Sequence, residues 1–330
     1  MKKFAEKIAI AALPTPIYSA SRLSSILGGP EILVKRDDMT GVAVSGNKVR
    51  KLEYCAAEAI SEGAGVLITC GGPQSNHARA TAAVAARLGL RSHLVLGGPP
   101  EKVPDGNLFL DRLFGAGTTF IPGAALLELA EAMEETAESY RREGVKPYII
   151  PLGASDALGS LGYIDAIGEI KKQIGEMGIT IDHIVFASGS GGTLAGIVAG
   201  CLVHGLECGV TGISVAFPSS WSDTKLEEVF SGLRERFIPD LPSPSGRYSV
   251  NADYIGEGYG KASPELIRFI REAASLEALL LDPTYSGKAL FGLAGEIEKG
   301  TFKKGERVLF IHTGGTFGLF PYREQFASEF

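Results

Sequence analysis

The sequence predicts an α/β protein whose parallel sheets are covered by helices on both faces. Three observations carry that expectation. Short apolar runs rich in β-branched residues recur along the chain, and segments with apolar residues three and four apart separate them. The joints between run and segment are glycine turns, with no series of two-residue hairpins. Strands joined by helical crossovers run parallel, and a parallel sheet buries both faces.

The expected strands fall at 32–35, 66–69, 93–96, 119–121, 148–151, 184–187, 210–216, 278–281 and 308–312. The first long helix opens at Asn47 as its N-cap, and Leu52, Ala56, Ala59 and Ile60 continue on one face. Ser75 is placed as N-cap of a helix over 76–88, where Ala80, Ala83, Val84 and Leu88 share a face. The clearest amphipathic pattern sets Leu126, Leu129, Ala130, Met133, Ala137 and Tyr140 against Glu128, Glu131, Glu134, Glu135 and Glu138. An apolar helix over 194–203 follows the strand at 184–187. The 330 residues exceed the roughly 250–300 at which one core usually stops growing. Residues 48–155 hold a self-contained strand–helix alternation and another begins near Gly162. The expected division is therefore a small domain at 48–161 and a discontinuous large domain from 1–47 and 162–330.

Composition excludes several classes. Net charge is −6, from 32 basic and 38 acidic residues without a block of either sign, which argues against nucleic acid or an anionic membrane as partner. The 43 glycines are not periodic, so collagen and repeat arrays are excluded. Cys55, Cys70, Cys201 and Cys208 form no CxxC pair, and the five histidines have no HExxH spacing, so neither a disulfide framework nor a metal site is expected. The start Met1-Lys2-Lys3 is basic, but Glu6 and Lys7 interrupt it and the apolar run over 8–13 is too short for a signal sequence. No 18-residue apolar stretch exists, and the expectation is a soluble, cytoplasmic protein.

Four glycine turns stand where a parallel sheet binds ligands, at the carboxyl ends of strands. Ser188-Gly189-Ser190-Gly191-Gly192-Thr193 joins a strand to an apolar helix. Its small residues let backbone N–H groups and the helix start approach a phosphate, a better account than helix packing alone. It is no dinucleotide fingerprint and no P-loop. Gly71-Gly72-Pro73-Gln74-Ser75-Asn76-His77 also enters a helix, where three further polar side chains beside free N–H groups suit a carboxylate. Ser45-Gly46-Asn47-Lys48 puts a cation in the first turn of a helix, against the dipole, and a destabilised ammonium is a better nucleophile. Taken alone, that segment reads better as a solvated lysine among the three cations Lys48, Arg50 and Lys51. The last pair, Asp282-Pro283-Thr284-Tyr285-Ser286-Gly287-Lys288 and His312-Thr313-Gly314-Gly315, offers Tyr285 as a ring face or as a half-buried core tyrosine.

In this order the four turns resemble the pyridoxal-phosphate enzymes of the tryptophan-synthase-β type (fold type II). More narrowly, they resemble the family of D-cysteine desulfhydrase and 1-aminocyclopropane-1-carboxylate deaminase. The resemblance runs from Leu13-Pro14-Thr15-Pro16 to His312-Thr313-Gly314-Gly315. It implies two open, twisted, mainly parallel sheets with pyridoxal 5'-phosphate between the domains, and a homodimer. Lys48 would hold the cofactor covalently, Asn76 would meet its phenolic oxygen, and Ser188, Gly189, Ser190, Gly191, Gly192 and Thr193 would hold its phosphate. Tyr285 would stack on the ring, with Ser286 and Thr313 beside it. Ser75, Asn76, His77, Tyr259, Thr313 and Gly314 would grip the substrate, and Lys48, Ser75 and Tyr285 would be catalytic. One departure is Ser45, where the family more often has glycine; serine suits a backbone without positive φ.

The resemblance implies an α,β-elimination on a small amino acid. The cyclopropane deaminases carry glutamate where this chain has Ser286 and leucine where it has Thr313. A neutral hydroxyl leaves the ring nitrogen less protonated, which suits departure of hydrosulfide better than opening a cyclopropane ring. D-cysteine, giving pyruvate, hydrogen sulfide and ammonia, is the expected substrate. The alternatives are 1-aminocyclopropane-1-carboxylate, giving 2-oxobutyrate and ammonia, and elimination from cysteate, D-serine or chloro-alanine.

Overall fold

The computed structural model describes residues 4–327; the basic start Met1-Lys2-Lys3 lies outside the described residues. In chain order the elements are β1 (Ile17–Ser19), α1 (Ser21–Leu27), β2 (Glu31–Lys35), α2 (Asn47–Ser61), β3 (Val66–Gly71), α3 (Asn76–Leu88), β4 (Arg91–Gly97), α4 (Gly106–Leu113), β5 (Gly117–Ile121), α5 (Leu129–Arg142) and β6 (Pro147–Ile149). There follow α6 (Ala157–Met177), β7 (His183–Ser188), α7 (Gly192–His204), β8 (Gly209–Ser214), α8 (Ser219–Arg236), β9 (Ser249–Asn251), α9 (Pro264–Glu277), α10 (Ser286–Glu298), β10 (Arg307–Ile311) and α11 (Arg323–Ala327).

Two sheets form. The larger runs β1-β2-β10-β7-β8-β9 and is parallel except for β1, which pairs antiparallel with β2. The smaller runs β5-β4-β3-β6 and is wholly parallel. Both faces of each are covered, which is why every residue of β3 is buried. The chain passes from the larger sheet to the smaller along α2 and returns along α6, and these two helices pack on each other. Between them lies a buried ionic knot. Arg50 donates to both carboxylate oxygens of Asp37, at 2.8 and 2.9 Å, and to Glu169 at 2.9 and 3.0 Å. Lys35 and Tyr163 also donate into it, to Glu169 and Asp37 respectively. Burial alone would raise the two acids, but Arg50 and Lys35 hold both carboxyls below their ordinary values.

Eight of the nine expected strands are present, with ends moved by a residue or two. The expected strand at 278–281 is absent: Ala278 ends α9 in a left-handed conformation, φ 54°. Leu279 and Leu281 are buried and Leu280 is exposed, so the burial pattern is that of a strand with no neighbour to pair with. The reading over 32–312 left out β1 and β9, three-residue edge strands too short for a period-two signal. At α2 the N-cap is Gly46 and Asn47 is already helical, so the helix begins one residue earlier than expected.

Candidate active site

Each sheet has a point where successive crossovers leave in opposite directions. In the larger sheet it lies between β7 and β10, and in the smaller between β3 and β6. A crevice opens beyond the carboxyl ends of strands at such a point. The two crevices face one another, and one cleft is lined by residues from all four expected turns.

The turns are locked together by backbone. Asn47 N–H donates to the Thr313 carbonyl at 3.0 Å, and Gly46 pairs with Gly314 in an isolated antiparallel bridge. A Cβ on Gly46 would stand 2.5 Å from that carbonyl oxygen, so glycine is required for the approach. Ser45 is not among the residues with positive φ, although Ala43 and Val44 are, at 50° and 47°. Serine is therefore accommodated.

Lys48, Ser75, Asn76, His77, Ser188, Gly189, Ser190, Gly191, Thr193, Tyr259, Tyr285 and Thr313 all lie on the cleft wall. Gly192, Ser286 and Gly314 stand behind it. Lys48 is half-buried in the first turn of α2, and desolvation pulls its ammonium down to about 8. Ser75 caps α3, its Oγ accepting from Ala78 N–H at 3.2 Å, which leaves the N–H groups of Asn76 and His77 at the helix start. His77 is buried with Nε2 2.9 Å from Thr69 Oγ1, and desolvation together with the charges of Lys48 and Lys51 holds it neutral. It therefore brings no positive charge to a carboxylate.

On the far wall the hydroxyls of Tyr259 and Tyr285 lie 2.6 Å apart with their rings edge to face. Burial raises both phenols, Tyr259 to about 12, so each keeps its proton. The loop carrying Tyr259 is tied down by Lys288, whose Nζ donates to the carbonyls of Ile255 and Gly258 at 2.6 and 2.7 Å. Ser286 is fully buried, its hydroxyl donating to Asp282 Oδ1 at 2.7 Å and accepting from Asp282 N–H at 3.0 Å.

The turn after β7 fits a phosphate monoester. Ser188 Oγ is buried without a partner, Gly191 takes φ 88°, and the first N–H groups of α7 open toward the cleft. Ser190 Oγ lies 2.7 Å from Ser155 Oγ. A Cβ on Gly192 would stand 2.6 Å from Ser155 Cα and 2.8 Å from Lys51 Nζ. Lys51 is thus a buried ammonium directly behind the turn, donating to the Gly153 carbonyl at 3.1 Å, and desolvation and the Lys48 charge lower it well below its ordinary value. An anion in the turn would add to the counter-charge that Asp156 supplies. Sequence reasoning counted Lys51 among three surface cations; its three-residue spacing from Lys48, one helical turn, was the available signal. It also assigned Asn47 to capping, whereas the Asn47 amide donates to Thr193 Oγ1 at 3.1 Å and braces the turn. A phosphate at one end, a reactive amine at the other and an aromatic wall between them match the cofactor that the resemblance implies.

Comparison with known proteins points the same way. A family model described as pyridoxal-phosphate dependent enzyme matches residues 8–314. A Pyrococcus abyssi relative, 40% identical over 319 residues (97% of this chain, 94% of that one), carries the provisional name 1-aminocyclopropane-1-carboxylate deaminase. An Arabidopsis thaliana relative is 39% identical over 333 residues, covering 97% of this chain and 80% of its own length. Its name is bifunctional D-cysteine desulfhydrase/1-aminocyclopropane-1-carboxylate deaminase, mitochondrial. A crystal structure described as an ACC deaminase homologue superposes with a TM-score of 0.91 at 38% identity, covering 99% of this chain and 97% of that one. The family match spans nearly the whole chain, and the chain therefore belongs to the pyridoxal-phosphate-dependent enzymes.

Proposed function

We propose that this enzyme catalyses α,β-elimination from D-cysteine, taking up one water and releasing pyruvate, hydrogen sulfide and ammonia. The observation that carries the reading is the absence of any carboxylate on the cleft wall among the described residues. A ring nitrogen facing hydroxyls is held less protonated than one facing an acid. Ser286 and Thr313 take the positions at which the resemblance implies an acid and a bulky apolar side chain in the ring-opening enzymes.

In this reading the turn over 188–193 and Lys51 hold the phosphate, Asn76 donates to the phenolic oxygen and Tyr285 lies against the ring. Bound pyridoxal phosphate supplies the electron-withdrawing ring that stabilises negative charge at the substrate α-carbon. Lys48 Nζ, desolvated and close to neutral pH in its titration, moves the α-proton. The Ser75 hydroxyl and the N–H groups of Asn76 and His77 orient the substrate carboxylate, with the Thr313–Gly314 backbone on the other side. The phenol pair Tyr259–Tyr285, which keeps its protons, would donate to the departing sulfur. The cofactor then sits between a small lobe at 48–161 and a large lobe from 1–47 and 162–330, in a cytoplasmic homodimer.

The second reading is ring-opening deamination of 1-aminocyclopropane-1-carboxylate, supported by the names of the relatives. Assaying the purified, cofactor-loaded protein with D-cysteine, L-cysteine, cysteate, D-serine and the cyclopropane acid separates the two. Sulfide from D-cysteine with no 2-oxobutyrate from the cyclopropane acid is expected. Turnover of the cyclopropane acid alone would replace the first reading with the second.

A further inference from the structure

We propose that Asn107, fully buried on α4 behind the cleft, is a positioning residue that fixes which end of the Asn76 amide faces the cofactor. The proposal rests on the reading of Asn76 as the donor to the cofactor's phenolic oxygen.

The argument uses only which groups can donate. An arginine side chain has donors and no acceptor, and a backbone carbonyl has the reverse. Arg79 Nε lies 2.9 Å from one end of the Asn107 amide, so that end is the oxygen. The other end lies 2.9 Å from the Gln74 carbonyl oxygen, so it is the NH2 group. The second hydrogen of that NH2 points at the Asn76 amide, also 2.9 Å away. Only an oxygen can receive it. The Asn76 NH2 is therefore turned from Asn107, and Asn76 lines the cleft. Two donor-only and acceptor-only groups, neither in the cleft, thus set the polarity of a side chain that is.

The rest of the assembly is built to hold Asn107 still. Its backbone N–H donates to Gln74 Oε1 at 2.9 Å, and Gln74 Nε2 donates to the Asp105 carbonyl at 3.0 Å. Arg79, itself buried, donates from Nη1 to the Ala43 carbonyl at 3.3 Å and lies over the Phe317 ring. The relay therefore runs from the loop preceding Lys48, through Arg79 and Asn107, to Asn76 in the cleft.

Asn107→Asp tests it. An aspartate keeps an acceptor toward Arg79 but replaces the donor toward Asn76 with a second acceptor. The Asn76 amide then turns over and presents its oxygen to the phenolic oxygen. Pyridoxal phosphate binding to the apo-protein, followed by fluorescence, is expected to weaken about tenfold to a hundredfold, the loss of a hydrogen bond to a charged group. The visible absorbance of the loaded protein is expected to shift to shorter wavelength as the phenolic oxygen gains a proton. Asn76→Ala should weaken binding comparably, and Asn107→Asp added to it should change affinity by less than about twofold. A wild-type affinity and spectrum in Asn107→Asp, or a full additive loss on top of Asn76→Ala, overturns the proposal. If Asn76→Ala itself binds as wild type, the reading of Asn76 falls, and the proposal with it. Circular dichroism checks folding. If Asn107→Asp does not fold, Asn107→Ala is read instead: it leaves the Asn76 amide free to rotate, with an expected loss of about three- to tenfold that again vanishes in the Asn76→Ala background.

Discussion

The reactivity of Lys48 can be perturbed with pH alone. At pH 7 an ordinary lysine amine, with its value of 10.5, is unprotonated in about one molecule in 3,000. With Lys48 lowered to about 8, the free-amine fraction at pH 7 is about one in ten, roughly 300 times larger. Covalent capture of pyridoxal phosphate requires the free amine. Its rate on mixing with apo-protein should rise about tenfold per pH unit below pH 8 and level off above it. The assay is stopped-flow absorbance between about pH 6 and pH 10, each rate divided by that of a free lysine derivative to cancel the cofactor's own titration. Because desolvation lowers Lys48, raising the salt tenfold should leave the inflection within about 0.3 of a pH unit. A normalised rate that stays flat from pH 6 to about pH 10 would mean that Lys48 titrates like a solvated amine and would refute the reasoning. Loss of visible absorbance in Lys48→Ala identifies the lysine concerned.

Other outcomes follow from the same geometry. Lys51→Met should weaken cofactor affinity by about tenfold or more without moving the visible band, since Lys51 stands behind the phosphate turn and away from the ring. Titration of both apo-proteins measures this, and equal affinities would remove Lys51 from the site. Gly192→Ala should cost about 1–3 kcal/mol in urea unfolding and abolish cofactor retention on dialysis, because the added methyl stands 2.6 Å from Ser155 Cα. Arg50→Met should cost about 3–5 kcal/mol by leaving Asp37 and Glu169 short of their buried partner. In the wild type these two acids titrate below their ordinary 3.8 and 4.5, so the unfolded chain takes up their protons first. Their contribution is full above about pH 4.5 and is lost as pH falls through the lowered folded values; unfolding curves should show a shallower acid loss in Arg50→Met.

What the sequence by itself determined was whatever depends on neighbours a few residues away. Ser75 was legible as a cap because a cap bonds three residues ahead, and α3 begins where it predicts. The turn over 188–193 was legible because six small residues between an apolar strand and an apolar helix have few other uses. Alternation of strand and helix announced parallel sheets, and the two sheets are there. Tertiary structure decided what each side chain meets across the fold. Asn47 looked like a cap and braces Thr193, 146 positions away. Lys51 looked solvated and is buried, while Ser286 stands behind the wall on Asp282. Residues 279–281 carry a strand's pattern of burial with no strand beside them. Asn107, at the start of α4, carried no signal at all, because its meaning lies in one donor and two acceptors that only the packing of α3 against α4 brings within 3 Å. Capping and periodicity are local physics and are written in order along the chain; the polarity of an amide is set by whatever the fold delivers to each of its ends.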